Sequence, residues 1–268
     1  MQTNLEKIKT NRTLLLCLLV VGFAVLIANM FSKEAAKVTT DLLYVPVPGG
    51  VLIASILIAA RFRGKGDHGK AYLFFVGFVA SWFIAETIWA ISEVFYNLSP
   101  FPSEAEWFYL AGYPLLILFS VYYLKPVEMA ISGRILSYGF LASVMFLIPT
   151  IYTTYSYNSN AGLAQLIWAS IYPLLDAIVL FPAVLGLTLY FKGQVSFLWS
   201  LTCIAIILNI IADSGFLFLH VDKSYYTGSP IDILYLWAYI LFAFGIYSHV
   251  KLYKKPKMKS YGDVKDLK

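Results

Sequence analysis

Apolar residues in this chain come in blocks of about twenty, separated by short runs that hold nearly all of the charge. A block of that length crosses the roughly 30 Å hydrocarbon core of a bilayer as one helix. The pattern predicts eight such helices, over about 12–31, 46–62, 70–96, 107–124, 134–152, 164–190, 197–219 and 231–250. The expected fold class is an all-α membrane protein, an eight-transmembrane-helix bundle with short connections. Polar residues inside the blocks are few and follow a pattern of their own. Trp82, Glu86, Trp89 and Glu93 fall at i, i+4, i+7 and i+11, which on a helix is a single stripe.

Two stretches of the chain match each other. Ala85-Glu86, then Glu106, Tyr109-Leu110 and Tyr113, parallel Ala212-Asp213, then Asp232, Tyr235-Leu236 and Tyr239. Glu106 and Asp232 lie 126 residues apart, as do both pairs of tyrosines, and Glu86 meets Asp213 after one further residue. Phe62-Arg63-Gly64 against Phe191-Lys192-Gly193 extends the match. It predicts two four-helix halves in the same orientation, over 1–133 and 134–250, with a basic tail over 251–268.

Composition sharpens the class. The 268 residues are 60% hydrophobic and 13% charged, against roughly a quarter charged in a soluble domain, and mean hydropathy is +0.73. The net charge of +5 comes from residues that flank the apolar blocks, so it reads as topology and not as a nucleic-acid groove. With eight spans and a cytoplasmic N-terminus, 17 of the 20 Lys and Arg fall inside, leaving Lys33, Lys37 and Lys223 outside. Both termini are therefore expected in the cytoplasm, with the protein multi-pass in the cell membrane. The first block is too long for a signal-peptide core and lacks a clean small-residue cleavage site, so an uncleaved anchor is expected. Cys17 and Cys203 both lie in apolar blocks, where cysteine acts as a small hydrophobe.

Candidate chemistry rests on four acids inside the blocks: Glu86, Glu93, Asp176 and Asp213. At 1.5 Å per residue, Glu86 and Asp213 sit at a similar depth, roughly 22–24 Å from the cytoplasmic ends. Acids at such depth normally face the bundle interior and find a partner. No lysine or arginine lies at that level. Trp82 and Trp89, with Tyr113 and Tyr172, stand near the acids, and aromatic faces beside carboxylates suit an organic cation. Trp168 and Trp237 are placed to line an interior as well, while Trp107, Phe108 and Tyr225 are assigned to the interfacial aromatic belt. The expected site is Glu86, Glu93, Asp176, Asp213, Trp82, Trp89, Tyr113 and Tyr172, lining a pocket open to the extracytoplasmic side. Pro149 and Pro182 predict kinks, as do the two Tyr-Pro-Leu-Leu segments at 113–116 and 172–175.

Other chemistries are argued against. His68 in a cytoplasmic loop, His220 at the outer end of the seventh block and His249 at the inner end of the eighth are too scattered for a shared metal or bis-histidine haem. No HExxH, GxSxG or P-loop is present, and no mid-block lysine can carry a Schiff base. No catalytic residue, cofactor or metal is assigned, and the chain is not expected to be an enzyme.

The string Pro102-Ser103-Glu104-Ala105-Glu106-Trp107-Phe108-Tyr109-Leu110, ending in Tyr113-Pro114-Leu115-Leu116, resembles a motif of bacterial signalling proteins. It is found in the multi-span membrane domains that precede diguanylate cyclase or histidine kinase modules, where it runs PSxADxxYLxxYPLL. Tyr172-Pro173-Leu174-Leu175-Asp176 is similar to their YPxxD segment. Glu106 stands where the motif has Asp, and with 17 residues after Lys251 no output domain is expected within this sequence. The resemblance implies a sensory or ligand-binding membrane module that signals through a membrane or signalling partner; the acids and aromatics themselves suit a small cationic or amphipathic ligand. A proton- or cation-coupled small-solute transporter is the alternative that intramembrane acids and a parallel repeat also fit. A structural subunit of a larger membrane complex is the third.

Overall fold

A computed structural model describes residues 2–98, 103–157, 163–190 and 196–252, with side chains over 10–98, 103–156, 169–189 and 200–247. Its regular elements are all helical: α1 (Gln2–Phe31), α2 (Lys33–Leu43), α3 (Pro46–Phe62), α4 (Gly66–Val94), α5 (Ala105–Leu124), α6 (Gly133–Tyr157), α7 (Leu163–Tyr190), α8 (Ser196–Val221) and α9 (Asp232–Leu252). A 3-10 turn, Lys125–Ala130, joins α5 to α6. Each expected helix is present, with ends that agree to within about five residues except in α1, which begins at Gln2 and not near residue 12. The match of 62–64 with 191–193 and the basic tail fall outside the described residues on one side or wholly, as does the Trp168 side chain.

The surface identifies the solvent. Leu16, Val20, Ile53, Leu57, Phe140 and Ile148 are each 60% or more exposed, while Asp176, Asp232, Thr154 and Ser200 are buried. Apolar side chains outside and polar ones within suit a hydrocarbon surround, where each polar group needs an internal partner. Seven segments of the described residues are long and apolar enough to cross a membrane. The last helix is apolar too, but only Asp232–Tyr247 of it is described with side chains. This is a helical membrane protein.

Six helices close into a ring. In order around it, α3 packs on α4, α4 on α5, α5 on α7, α7 on α8, α8 on α9, and α9 returns to α3. The first α1 packs on α9 and α2, outside the ring, and α6 lies against α7. The N- and C-terminal halves therefore meet along two seams, α3 with α9 and α5 with α7. The ring's centre is filled by Phe75, whose ring centroid lies 4.8 Å from that of Phe119, 5.4 Å from Phe242 and 5.6 Å from Phe78. Trp82 caps this stack, 4.6 Å from Phe78 and edge-on to it. Edge-to-face aromatic pairs of this kind contribute about 0.5–1.5 kcal/mol each beyond area burial.

The hydropathy pattern did not predict α2. Lys33–Leu43 is polar in sequence and was expected to be part of an outer loop. It is instead an amphipathic helix, started by Ser32, whose hydroxyl accepts from Ala35 N–H at 3.0 Å. It turns Ala36, Thr40 and Asp41 inward. Prolines 114, 149, 173 and 182 all lie within continuous helices.

An acid–tyrosine network inside the ring

Five acids of the ring helices, Glu86, Glu106, Asp176, Asp213 and Asp232, each accept a hydrogen bond from a tyrosine hydroxyl. On α4, the stripe of apolar and aromatic residues turns Trp82 and Glu86 to the interior, and Glu86 is 7% exposed. Tyr239 on α9 donates to Glu86 Oε1 at 2.9 Å, and Tyr109 on α5 is a second hydrogen-bonding partner. Tyr113 donates to Asp176 Oδ1 at 2.7 Å. Tyr235 donates to Asp213 Oδ1 at 2.8 Å, and Asn209 Nδ2 donates to its Oδ2 at 3.0 Å. Tyr172 donates to Glu106 in the first turn of α5. Tyr225 donates to Asp232 at 3.2 and 3.4 Å, alongside the Gly228 N–H at 2.6 Å.

Asp176 and Asp213 stand apart from the rest because they also face each other, within hydrogen-bonding reach. Two carboxyl groups at that separation form one strong bond when they share a proton and repel when both are ionised. Beside Asp176 is a small space of about 10 Å³, room for about one water. Its walls are Trp82, Tyr113, Asp176 and Asn209 with Leu116, Val179, Ile206, Ile210 and Phe242. Among the described residues, this space is far smaller than an organic or amphipathic cation. The acids and aromatics meant to line its pocket are packed against each other.

The eight expected site residues divide into three groups. Trp82, Tyr113 and Asp176 line the small cavity, and Asp213, which does not line it, faces Asp176. Glu86 is held apart by Tyr109 and Tyr239. Glu93 and Trp89 form their own pair at the end of α4, where the indole N–H donates to Glu93 Oε2 at 3.0 Å and reaches Thr227 Oγ1 at 3.3 Å. Tyr172 joins the cavity group only by its ring, 6.1 Å from that of Tyr113. Of the remaining tryptophans, Trp237 donates to Leu18 O at 2.8 Å, tying α9 to α1, and Trp107 is 65% exposed.

Sequence reasoning left out Tyr109, Tyr235, Tyr239, Glu106 and Asp232 as site residues. The signal was available, since each belongs to the pairs at the 126-residue offset. Tyr225, assigned to the aromatic belt, is half-buried and its hydroxyl donates to Asp232. Burial, then the carboxylate of Asp232, holds its phenol well above the usual range, so it remains a donor. Asp41 was also missed; it lies in what was taken for a loop and is 1% exposed.

Among the described residues no group of three His, Cys, Asp or Glu is arranged to hold a metal ion. Compared with protein-family models, with curated proteins and with solved structures, the chain matches none.

Proposed function

We propose that this chain is a sensory module of the cell membrane, with eight spans and both termini cytoplasmic, and that its stimulus is proton occupancy of the Asp176–Asp213 pair. The observation that carries this reading is that pair, beside a one-water cavity, bonded by Tyr113, Tyr235 and Asn209 and without a cationic partner at its level. A proton between the two carboxyl groups draws α7 and α8 together. Its loss leaves two like charges in a low-dielectric interior, where repulsion is strong. Pro173 and Pro182 in α7 and Pro114 in α5 are the places where those helices bend in response. The resemblance of the Tyr-Pro-Leu-Leu segments to bacterial signalling membrane domains supports a sensor, with a membrane or signalling protein as the recipient.

The two halves of the chain are proposed to be a parallel repeat. Hydrogen bonding supports this: Tyr109 serves Glu86 and Tyr235 serves Asp213 within each half. Tyr113 serves Asp176 and Asp213 across one seam, and Tyr239 serves Glu86 across the other. The same crossed pairing favours a second reading, a proton-coupled carrier in which the halves rock against one another. Proteoliposomes holding a pH-sensitive dye separate the two. A sensor shows no net proton flux under a pH gradient, while its tryptophan fluorescence changes with pH because Trp82 borders the cavity. Flux that Asp213→Asn abolishes makes the chain a carrier and refutes the sensor.

A further inference from the structure

A second polar cluster lies outside the ring's cavity, where α2 meets the turn before α9. Gly228 in that turn has φ +92 and sits so close to α2 that a Cβ would strike the backbone of Ala36 and Lys37. Asn29 Nδ2 donates to Gly228 O at 2.6 Å, and Tyr226 donates to Asn29 Oδ1 at 2.7 Å. The end of α1, α2 and the turn are thus locked together. Inside the lock, Asp41 is 1% exposed, and neither carboxylate oxygen has a hydrogen-bond partner. Thr40 Oγ1 and Ser229 Oγ are buried and unpartnered in the same way.

The charged groups facing Asp41 are Glu93 from α4, Lys37 from α2, Asp232 from α9 and Glu86 from α4. Lys37 is the only cation among them, and its ammonium is bound to Glu34 at 2.9 Å. The neighbouring acids are occupied: Asp232 by Gly228 and Tyr225, Glu93 by Trp89. Asp41 is the exception, a buried carboxylate with an excess of negative charge around it. A buried carboxyl group in that position takes up a proton, finds a donor or holds a cation; burial and then Glu93 push Asp41 up to about 8, so a cation there competes with the proton. The unpartnered oxygens of Asp41, Thr40 and Ser229, on α2 and the turn that packs against it, are hard donors without nitrogen or sulfur, and such donors suit a hard cation. A single carboxylate with hydroxyls, and no three-acid cluster, selects a monovalent one over calcium.

We propose that Asp41, with the hydroxyls of Thr40 and Ser229, binds a monovalent cation of the sodium class between α2 and the α8–α9 turn. Its occupancy fastens α2 to the turn that carries Asp232 and Thr227, and so to Glu93. The inference is independent of the proton reading of Asp176 and Asp213.

Thermal unfolding of the full chain in detergent tests it, in NaCl against choline chloride and CaCl₂ at equal ionic strength. A ligand that binds only the folded state raises Tm in a saturable way. Sodium is expected to raise Tm by several degrees, and choline and calcium are not. Asp41→Asn is expected to lose the sodium response and to unfold in choline at or above the wild-type Tm, because the unpaired carboxylate is gone. Ser229→Ala is expected to raise the half-saturating sodium concentration roughly tenfold, the loss of about 1.4 kcal/mol. Equal responses to sodium and choline in the wild type overturn the site, as does a sodium response that survives both substitutions. A calcium response that Asp41→Asn removes overturns the monovalent assignment. If Asp41→Asn does not fold, Ser229→Ala and Thr40→Val decide, and an unchanged sodium half-point in both refutes the proposal.

Discussion

A carboxyl group buried among apolar helices needs a proton, a cation or hydrogen-bond donors, and tyrosine is the donor to five of the acids in this bundle. Tyrosine suits the task because its ring fills the apolar space that its hydroxyl crosses. Tyr239 is 1% exposed and bonded to Glu86 at 2.9 Å. Tyr239→Phe keeps the ring and removes the donor, so it is expected to cost about 1–2 kcal/mol, read as a lower Tm in detergent. Tyr152→Phe, at a residue 71% exposed, is expected to leave Tm unchanged. At this scale the acids were legible from sequence, because a charge in an apolar block stands out. Their partners were less so. A tyrosine counts as apolar in a hydropathy pattern, and the interfacial belt accounts for most of them by default. The offset between the two halves was the one cue that separated Tyr109, Tyr235 and Tyr239 from the others.

At the scale of elements, the α4–α5 hairpin fixes the geometry of the site. Ser81 donates to Phe108 O at 2.7 Å and Trp82 Nε1 to Tyr109 O at 3.0 Å, so two side chains of α4 bond the backbone of α5. Gly112 makes the approach possible, since a Cβ there would overlap the indole of Trp82. Gly112→Ala is therefore expected to cost about 1–3 kcal/mol by overpacking, and to disturb Trp82 fluorescence. Gly50→Ala, with nothing within 4 Å of the added carbon, is the matched control and is expected to be neutral. Helix positions were readable because lipid demands long apolar runs. The amphipathic α2 was not, because its burial depends on the 227–229 turn nearly two hundred residues away, and nothing local in its sequence records that contact.

At the scale of the molecule, the ring of α3, α4, α5, α7, α8 and α9 brings acids from distant parts of the sequence to one interior. Sequence alone placed them at similar depth, but which helices were neighbours depended on the closure of the ring. Eight spans predict that the α4–α5 and α5–α6 connections face opposite sides of the membrane. After replacement of Cys17 and Cys203, Glu104→Cys is expected to react with an impermeant maleimide from outside intact cells. Glu128→Cys is expected to react only after permeabilisation; both native side chains are exposed. Labelling of the two from the same side would require a different span count. The proton shared by Asp176 and Asp213 is most directly visible in pH-difference infrared spectra, as the C=O stretch of a protonated carboxyl group. The expected result is one band that vanishes as pH rises and that Asp176→Asn and Asp213→Asn each abolish or shift. A band unmoved by both substitutions, or no titrating carboxyl at all, would contradict a proton held between α7 and α8.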